Sequence, residues 1–409
     1  MDYNNNMKTN NNYNIKFNKP KGLYIHIPFC DHIFIYCDFF KMMSKERNKE
    51  VFLEYLIKEL DFKRNYYDDL ETIYIGGGTP TNLNLKLLEK LLYEINKLID
   101  INKIKEFTIE CNPKDINQDI INLFLKYNIN RISLGVQSMY NEKLLFLGRN
   151  HLDIDVINSI NLLQNNNINN ISCDLIYGLN SDSIDLIKND IDRLISLNIK
   201  HLSCYTLIIE DKTILKKFIN NGYKPLDDDS EAEIFDFINE YLESKGFIHY
   251  EISNYACEGY QSKHNLIYWD NENYIGIGPA ASYYLDNIRY TNIKSLNKYY
   301  KYVDELIKNN LSVLDESLFE EKLLLSNDDI FFEEIMMGLR KLEGININKV
   351  NEKFNINIFD ELPNLNILLD KGLLEVYTNN TNKYEYIKVK KDQIYKLNSI
   401  LTVILEDYL

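Results

Sequence analysis

Short apolar segments alternate with amphipathic segments between about residue 22 and residue 210. The six apolar segments predict β-strands, and they are Leu23–Pro28, Thr72–Gly76, Glu106–Cys111, Arg131–Val136, Ile171–Tyr177 and Leu202–Ile209. Their cores are apolar at nearly every position, as in Ile73-Tyr74-Ile75, which is typical of a parallel sheet buried on both faces.

The segments between the strands carry apolar residues at helical spacing. Clear examples lie at 51–60, 87–95 and 184–194, where apolar residues recur every three or four positions. Six strand–helix units in succession predict right-handed crossovers and an α/β fold, a partial (β/α)6 barrel. In such a fold the active site lies at the carboxyl ends of the strands.

Distinctive polar or glycine-containing sequences follow the first five strands. They are Pro28-Phe29-Cys30, Gly76-Gly77-Gly78-Thr79-Pro80, Glu110-Cys111-Asn112-Pro113, Gly135-Val136-Gln137-Ser138 and Asp174-Leu175-Ile176-Tyr177-Gly178. Turn chemistry alone does not explain such a distribution. The sequence therefore predicts one functional face at the carboxyl edge of the sheet.

The pattern changes after residue 210. A helix is predicted near Asp229–Ser244, an aromatic stretch follows from Tyr250 to Tyr284, and the chain reads as helical from about Asp328. A hairpin of Leu373–Tyr377 and Tyr384–Val389 completes a smaller helical, winged-helix-like domain. We divide the chain into a disordered asparagine-rich tail (1–19), the barrel (20–255), a connecting region (256–320) and the C-terminal module (321–409).

Composition narrows the classes of partner. The 409-residue chain has a net charge of −15, which argues against a nucleic acid as the main partner. No apolar run approaches the roughly 20 residues needed to span a bilayer. Six scattered cysteines do not form a disulfide framework, so we predict a reducing, cytoplasmic setting.

The loop after the first strand carries Cys30 and Cys37 with Phe34 between them. Three cysteines spaced C-x3-C-x2-C hold a [4Fe–4S] cluster and leave one iron open, but a phenyl ring in the middle position cannot ligate iron. His32, Asp31 or Asp38 would have to replace the missing thiolate. Two cysteines seven residues apart are weak evidence by themselves.

The sequences around this loop are more specific. The segments 24–30, 36–39, 75–81, 131–138, 147–151, 174–179 and 263–269 closely resemble radical S-adenosylmethionine (SAM) proteins of the coproporphyrinogen dehydrogenase group, and most closely the HemW-type heme chaperones. The resemblance extends from Gly22 to Leu409. It implies three cofactors: a [4Fe–4S] cluster, SAM and heme.

The resemblance also implies roles for individual residues. Cys30 and Cys37 would be cluster ligands. The SAM pocket would be formed by Tyr24, Tyr36, Gly77, Gly78, Thr79, Glu110, Gln137, Arg149 and Asp174. His264, Tyr268 and Trp269 match the H-N-x-x-Y-W motif associated with heme. Each has a structural alternative: a helix cap for the carboxylates, a tight turn for the glycines, and a core histidine for His264.

Three functions are compatible with these features. The first is a HemW-like heme chaperone that delivers heme to an acceptor protein, with a cluster site impaired by Phe34. The second is an oxygen-independent coproporphyrinogen III oxidase-like enzyme. Phe39 argues against it, because those enzymes have a further cysteine at that position. The third is a non-catalytic binding scaffold. The sequence assigns no catalytic residue.

Overall fold

The computed structural model describes residues 19–309 and 316–408. The predicted disordered tail lies outside this part of the chain, apart from Lys19. The described residues form two compact units, one from residue 19 to residue 323 and one from residue 324 onward. No helix in the described part of the chain is both long and apolar enough to cross a membrane.

The larger unit is built on a twelve-stranded sheet. Its strands are β1 (Gly22–Ile27), β2 (Thr72–Gly77), β3 (Glu106–Cys111), β4 (Arg131–Gln137), β5 (Ile171–Tyr177), β6 (His201–Thr206), β7 (Ile248–Glu251), β8 (Asn254–Ala256), β9 (Tyr274–Ile277), β10 (Ser282–Leu285), β11 (Ile288–Asn292) and β12 (Phe319–Leu324). All six predicted strands of the barrel are confirmed, with boundaries within about three residues.

Ten α-helices belong to this unit in the described residues. They are α1 (Glu46–Phe62), α2 (Leu85–Leu98), α3 (Gln118–Lys126), α4 (Asn141–Phe146), α5 (Asp153–Asn165), α6 (Ile184–Ser196), α7 (Ile214–Asn220), α8 (Asp228–Ser244), α9 (Lys263–Trp269) and α10 (Leu296–Lys308). The predicted apolar stripe of α2 is buried, and the side chain of Asn84 caps the helix by accepting a hydrogen bond from Leu87 N.

Strands β1 to β6 are parallel and lie side by side in chain order, with at least one helix in each connection. The described strands form an open sheet ordered β12-β11-β10-β9-β1-β2-β3-β4-β5-β6-β8-β7. Consecutive parallel strands with helical crossovers give the predicted partial barrel. The segment 256–320, which we expected to be a connecting region, contributes β9, β10, β11 and the start of β12 to this same sheet.

The two faces of the parallel strands differ in chemistry. Side chains that face the helices, such as Ile25, Ile73 and Ile109, are completely buried. The alternate positions carry Tyr24, Tyr74, Glu110, Asp174 and Tyr205, none of which is fully buried. The expectation of apolar residues on both faces was therefore wrong for the inner face, because that face lines the interior of the barrel instead of packing on helices.

The second unit contains five helices and a small antiparallel sheet. The helices are α11 (Asn327–Gly338), α12 (Ile347–Phe354), α13 (Ile358–Glu361), α14 (Asn364–Asp370) and α15 (Leu397–Ile404). The strands β13 (Ile345–Asn346), β14 (Leu374–Thr378) and β15 (Glu385–Val389) are ordered β13-β15-β14. The predicted hairpin is confirmed as β14 and β15, which pair in antiparallel register.

Candidate functional site

Two carboxylates project into the barrel from adjacent regions of the sheet. Tyr74 donates a hydrogen bond to Glu110 Oε1 at 2.8 Å, and Gly77 N donates to Glu110 Oε2 at 3.0 Å. Ser133 Oγ lies 3.3 Å from Asp174 Oδ2. The register aligns Glu110 with Ser133 across β3 and β4, and Ser133 with Ser172 across β4 and β5, so Asp174 lies two residues further along its strand.

Both carboxylates are held in an environment that favours their neutral form. Burial raises the pKa of Glu110 to about 7, and the hydrogen bond from Tyr74 lowers it only in part. Burial likewise raises the pKa of Asp174 to about 6. No cation of the described residues forms a salt bridge of 4 Å or less with either group, so a ligand that brings hydroxyl or amino donors would complete their hydrogen bonding.

Arg149 and Gln137 lie at the carboxyl end of β4. A Cβ placed on Gly135 would approach Arg149 Nη2 and Gln137 Nε2, each at 3.2 Å, so both side chains reach this strand end. Gln137 has a φ of +67° at an irregularity of register in the sheet, a costly conformation for a residue other than glycine. Arg149 Nη1 donates to Asn112 Oδ1 at 2.9 Å.

The cysteine loop closes the same end of the barrel. Its base is fixed by hydrogen bonds from Cys30 N to Met42 O and from Met42 N to Pro28 O. Cys30 is buried, and burial raises the pKa of its thiol to about 11. Thr79 Oγ1 lies 3.8 Å from Cys30 Sγ. Gly78 is required here, because a Cβ would lie 3.0 Å from that sulfur and 2.7 Å from a backbone oxygen.

An aromatic stack occupies the position of the missing thiolate. The guanidinium carbon of Arg149 lies 3.9 Å from the centre of the Phe34 ring. The Tyr36 ring is stacked on Phe34 with an angle of 11° between the planes and 6.1 Å between the centroids. The same guanidinium carbon lies 5.9 Å from the centre of the Tyr36 ring. Arg149 therefore contacts both rings, an arrangement that stabilises the loop without metal.

The protein groups near the loop do not fit a three-thiolate cluster. Cys30 and Cys37 are the two thiols, and the proposed substitutes are placed unfavourably: His32 and Asp38 are exposed, and Asp31 accepts a hydrogen bond from Asn82. Within residues 19–309 and 316–408 no three His, Cys, Asp or Glu side chains are grouped so that they could hold a metal ion.

The residues predicted to hold SAM do converge on the barrel mouth. Tyr24 bonds His26 Nδ1 at 2.9 Å, and its ring lies 6.1 Å from that of Tyr74. Tyr36 and Arg149 approach from the loop side. Gly77, which has a φ of +114°, and Gly78 bring backbone close to the site. Carboxylate, amide and guanidinium groups here suit an amino acid joined to a nucleoside.

The predicted heme residues lie elsewhere, at the opposite end of the strands. His264 of α9 is completely buried, and burial lowers its pKa to about 3. Its Nδ1 is 2.7 Å from Thr72 Oγ1 and its Nε2 is 2.7 Å from Tyr268 OH. The ring also stacks on Tyr74, with 5.1 Å between centroids.

In this conformation both ring nitrogens of His264 have hydrogen-bond partners, and Tyr268 is the partner of one of them. Trp269 is half-buried at the end of α9. These contacts are those of a core histidine, and the assignment of the H-N-x-x-Y-W segment to heme stays a prediction.

Several residues of the site were not identified from the sequence. Tyr74 orients Glu110, Asn112 links Arg149 to Thr79, and Ser133 contacts Asp174. Glu106 accepts from Lys263 N at 2.9 Å and from His264 N at 3.0 Å at the start of α9. The alternation of side chains along a strand could have identified them. Glu106 and Glu110 are four residues apart on β3, so they face the same side of the sheet, and Tyr74 of β2 faces that side too.

Comparison with known proteins agrees with this geometry. The radical SAM superfamily pattern matches residues 24–194, and the HemN C-terminal domain pattern matches residues 325–378. The structure of coproporphyrinogen III oxidase (HemN) from Escherichia coli superimposes with a TM-score of 0.79, covering 96% of this chain and 91% of that chain at 19% identity. That likeness establishes the fold.

Two sequence relatives have a higher identity to this chain than HemN has. The heme chaperone HemW of Lactococcus lactis subsp. lactis is 38% identical over 84% of this chain and 87% of its own length. The heme chaperone HemW of Bacillus subtilis is 34% identical over 87% of this chain and 92% of its own length. This chain, with its radical SAM-type barrel and HemN-like C-terminal domain, belongs to the HemW family.

Proposed function

We propose that this protein binds heme and delivers it to an acceptor protein, and that it does so without an intact radical SAM cluster. Family membership supports heme as the ligand, because the full-length relatives are named as heme chaperones. The observation that carries the second part is the stack of Arg149, Phe34 and Tyr36 at the position of a cluster ligand. Free cysteines throughout the described chain accord with a reducing, cytoplasmic setting.

The pocket residues support retention of SAM or a related nucleoside. Glu110 and Asp174 accept hydrogen bonds from amino or hydroxyl groups, Gly77 and Gly78 permit close approach, and Arg149 offers a cation for a carboxylate. When a cluster is bound in a radical SAM protein, it supplies the electron that cleaves SAM. Two thiols and a phenyl ring do not fit that cluster.

The function as an oxygen-independent coproporphyrinogen oxidase gains no support from the site. Phe39 stands where those enzymes would have an additional cysteine, and its side chain is 71% exposed to solvent. The alternative of a non-catalytic scaffold is favoured by Phe34, which occupies the position of a cluster ligand. The proposed heme carrier is compatible with that alternative, because binding and release of heme require no radical.

Heme binding is tested by titrating the purified full-length chain with hemin. We expect a Soret band that saturates near one equivalent, and transfer of the bound heme to excess apomyoglobin as a model acceptor. Absence of a saturable complex at micromolar hemin would contradict the proposed function. Bovine serum albumin provides the control for nonspecific uptake.

The cluster site is tested by anaerobic reconstitution of wild type and Phe34→Cys. We expect the variant to retain about four iron and four sulfide per chain and the wild type to retain much less. The matched control is Phe34→Ser, which removes the ring without adding a thiolate. Equal iron and sulfide in wild type and Phe34→Cys would show that no deficit exists.

A further inference from the structure

His264 is enclosed in this structure, so another side chain would have to bind the heme iron. Heme iron in proteins is held by histidine, cysteine, methionine or tyrosine. The sequence has six histidines. Five of them are buried or half-buried within the fold: His26, His151, His201, His249 and His264.

The five enclosed histidines are also engaged in structural contacts. His26, His201 and His264 have both ring nitrogens within hydrogen-bonding distance of protein oxygens. His151 is 1% exposed and bonds Val136 O. His249 bonds Ile252 O and stacks on a tyrosine ring. His32 is the one exposed histidine of the six.

His32 lies on the cysteine loop at the barrel mouth. Its Cα is two residues from Cys30 and two from Phe34, so it lies within about 8 Å of each of their Cα atoms. The middle of the loop is held by Ile35, which is buried and whose carbonyl oxygen accepts a hydrogen bond from Leu215 N at 2.9 Å. The imidazole is therefore exposed on a loop that is fixed on either side of it.

The same loop exposes apolar surface. Ile33, Phe39 and Met43 are 46%, 71% and 64% exposed, respectively. A single exposed apolar side chain needs no explanation, but three within 11 residues beside an exposed imidazole form an unusual combination. Apolar and aromatic side chains cover a porphyrin face, and imidazole binds its iron.

We propose that His32 is the axial ligand of heme and that Ile33, Phe39 and Met43 contact the porphyrin. This inference rests on the proposed heme-binding function and assigns its site. It gives the cysteine loop a role in heme binding at the barrel mouth. The ligand is an iron porphyrin, held by a nitrogen–iron bond that needs no oxidant or reductant.

The experiment compares hemin binding by full-length wild type, His32→Ala and His264→Gln. We expect His32→Ala to weaken hemin binding at least about tenfold and to lose the spectrum of an imidazole-ligated heme. Free imidazole should restore that spectrum. His264→Gln should keep the wild-type spectrum and affinity if its melting curve shows that it is folded.

Two further variants separate ligation from apolar contact. Phe39→Ser should weaken hemin binding severalfold without altering the imidazole-type spectrum, whereas Cys37→Ser should alter neither. Unchanged binding by His32→Ala, or loss of the spectrum in Cys37→Ser, would overturn the assignment. Failure of wild type itself to bind hemin would contradict the proposed function, an outcome distinct from equal binding by wild type and His32→Ala.

Discussion

The two ends of the parallel strands contain similar residue types but differ in how completely the protein encloses them. At the amino end, Glu106 accepts from two backbone N–H groups, and His264 has partners on both ring nitrogens. At the carboxyl end, Glu110 and Asp174 are only partly enclosed and have elevated pKa values. We refer to these regions as the closed end and the open end.

The difference separates structural residues from binding residues. A buried polar group with all its partners within the protein stabilises the fold and has little to offer a ligand. Glu110 accepts hydrogen bonds on both carboxylate oxygens, but no cation in the described part of the chain lies within salt-bridge distance of it. A desolvated carboxylate without a cation lowers stability when charged, and it gains from a ligand that brings a positive charge or further donors. The H-N-x-x-Y-W segment belongs to the first class despite its association with heme.

The largest expected effect is at the closed end. Glu106→Ala leaves Lys263 N and His264 N without their acceptor, and we expect a loss of about 3 kcal/mol in the free energy of unfolding. Urea denaturation measures it. Glu106→Gln keeps one acceptor oxygen and should retain part of this stability, although its amide group faces the other N–H. Equal losses would show that a single acceptor oxygen does not support the start of α9.

At the open end, removal of a carboxylate should stabilise the protein instead of destabilising it. The pKa of Glu110 is raised to about 7 from an ordinary value near 4.5, so the folded state retains a proton that the unfolded state releases. The contribution of Glu110 to the free energy of unfolding is therefore favourable at low pH, and it is lost as pH rises from about 4.5 to 7. Glu110→Gln should stabilise the protein by about 2 kcal/mol at pH 8 and have little effect at pH 4.

The matched control for that pH experiment is Glu59→Gln. Glu59 is completely buried, paired with Lys63 at 2.7 Å and bonded by Gly278 N and Tyr299 OH. Because its partners already satisfy the charged form, we expect this variant to destabilise the protein at pH 8. Stabilisation by both substitutions would remove the distinction between a buried carboxylate that has a cationic partner and one that has none.

A smaller effect is expected within the H-N-x-x-Y-W segment. Tyr268→Phe removes the hydroxyl group that lies 2.7 Å from His264 Nε2, which should cost about 1 kcal/mol of stability. Thermal or urea unfolding measures the loss. Hemin affinity should be unchanged, since the segment lies at the closed end; a large decrease in affinity would return the heme site to α9.

The smallest effect is expected at the aromatic stack. Phe34→Leu keeps an apolar side chain but loses the contact between Arg149 and the ring, which we expect to cost about 0.5–1 kcal/mol. A double-mutant cycle with Arg149→Met, which removes the cation, isolates the pair. Phe34→Tyr is the control that keeps a ring, and a coupling energy of zero would show that the stack contributes nothing to the loop.

Much of the larger unit was predictable because strand and helix periodicity is local. β3 and β5 have the boundaries that the sequence predicts, and the buried stripe of α2 follows its apolar spacing. The strand-end clusters did identify the open end. The inner face was misjudged, because tyrosine reads as apolar in a pattern while Tyr74 uses its hydroxyl to hold Glu110.

By itself, the sequence determined the family, the order of the strands and the loss of a thiolate at Phe34, since these are properties of residue identity and spacing. The tertiary structure decided which polar residues are satisfied. His32 and His264 are chemically identical side chains, and their separation into an exposed imidazole and a fully bonded one depends on contacts with Thr72 and Tyr268. Tyr268 is four residues away on the same helix, but Thr72 is 192 positions away in the chain, and local patterning carries no record of that contact.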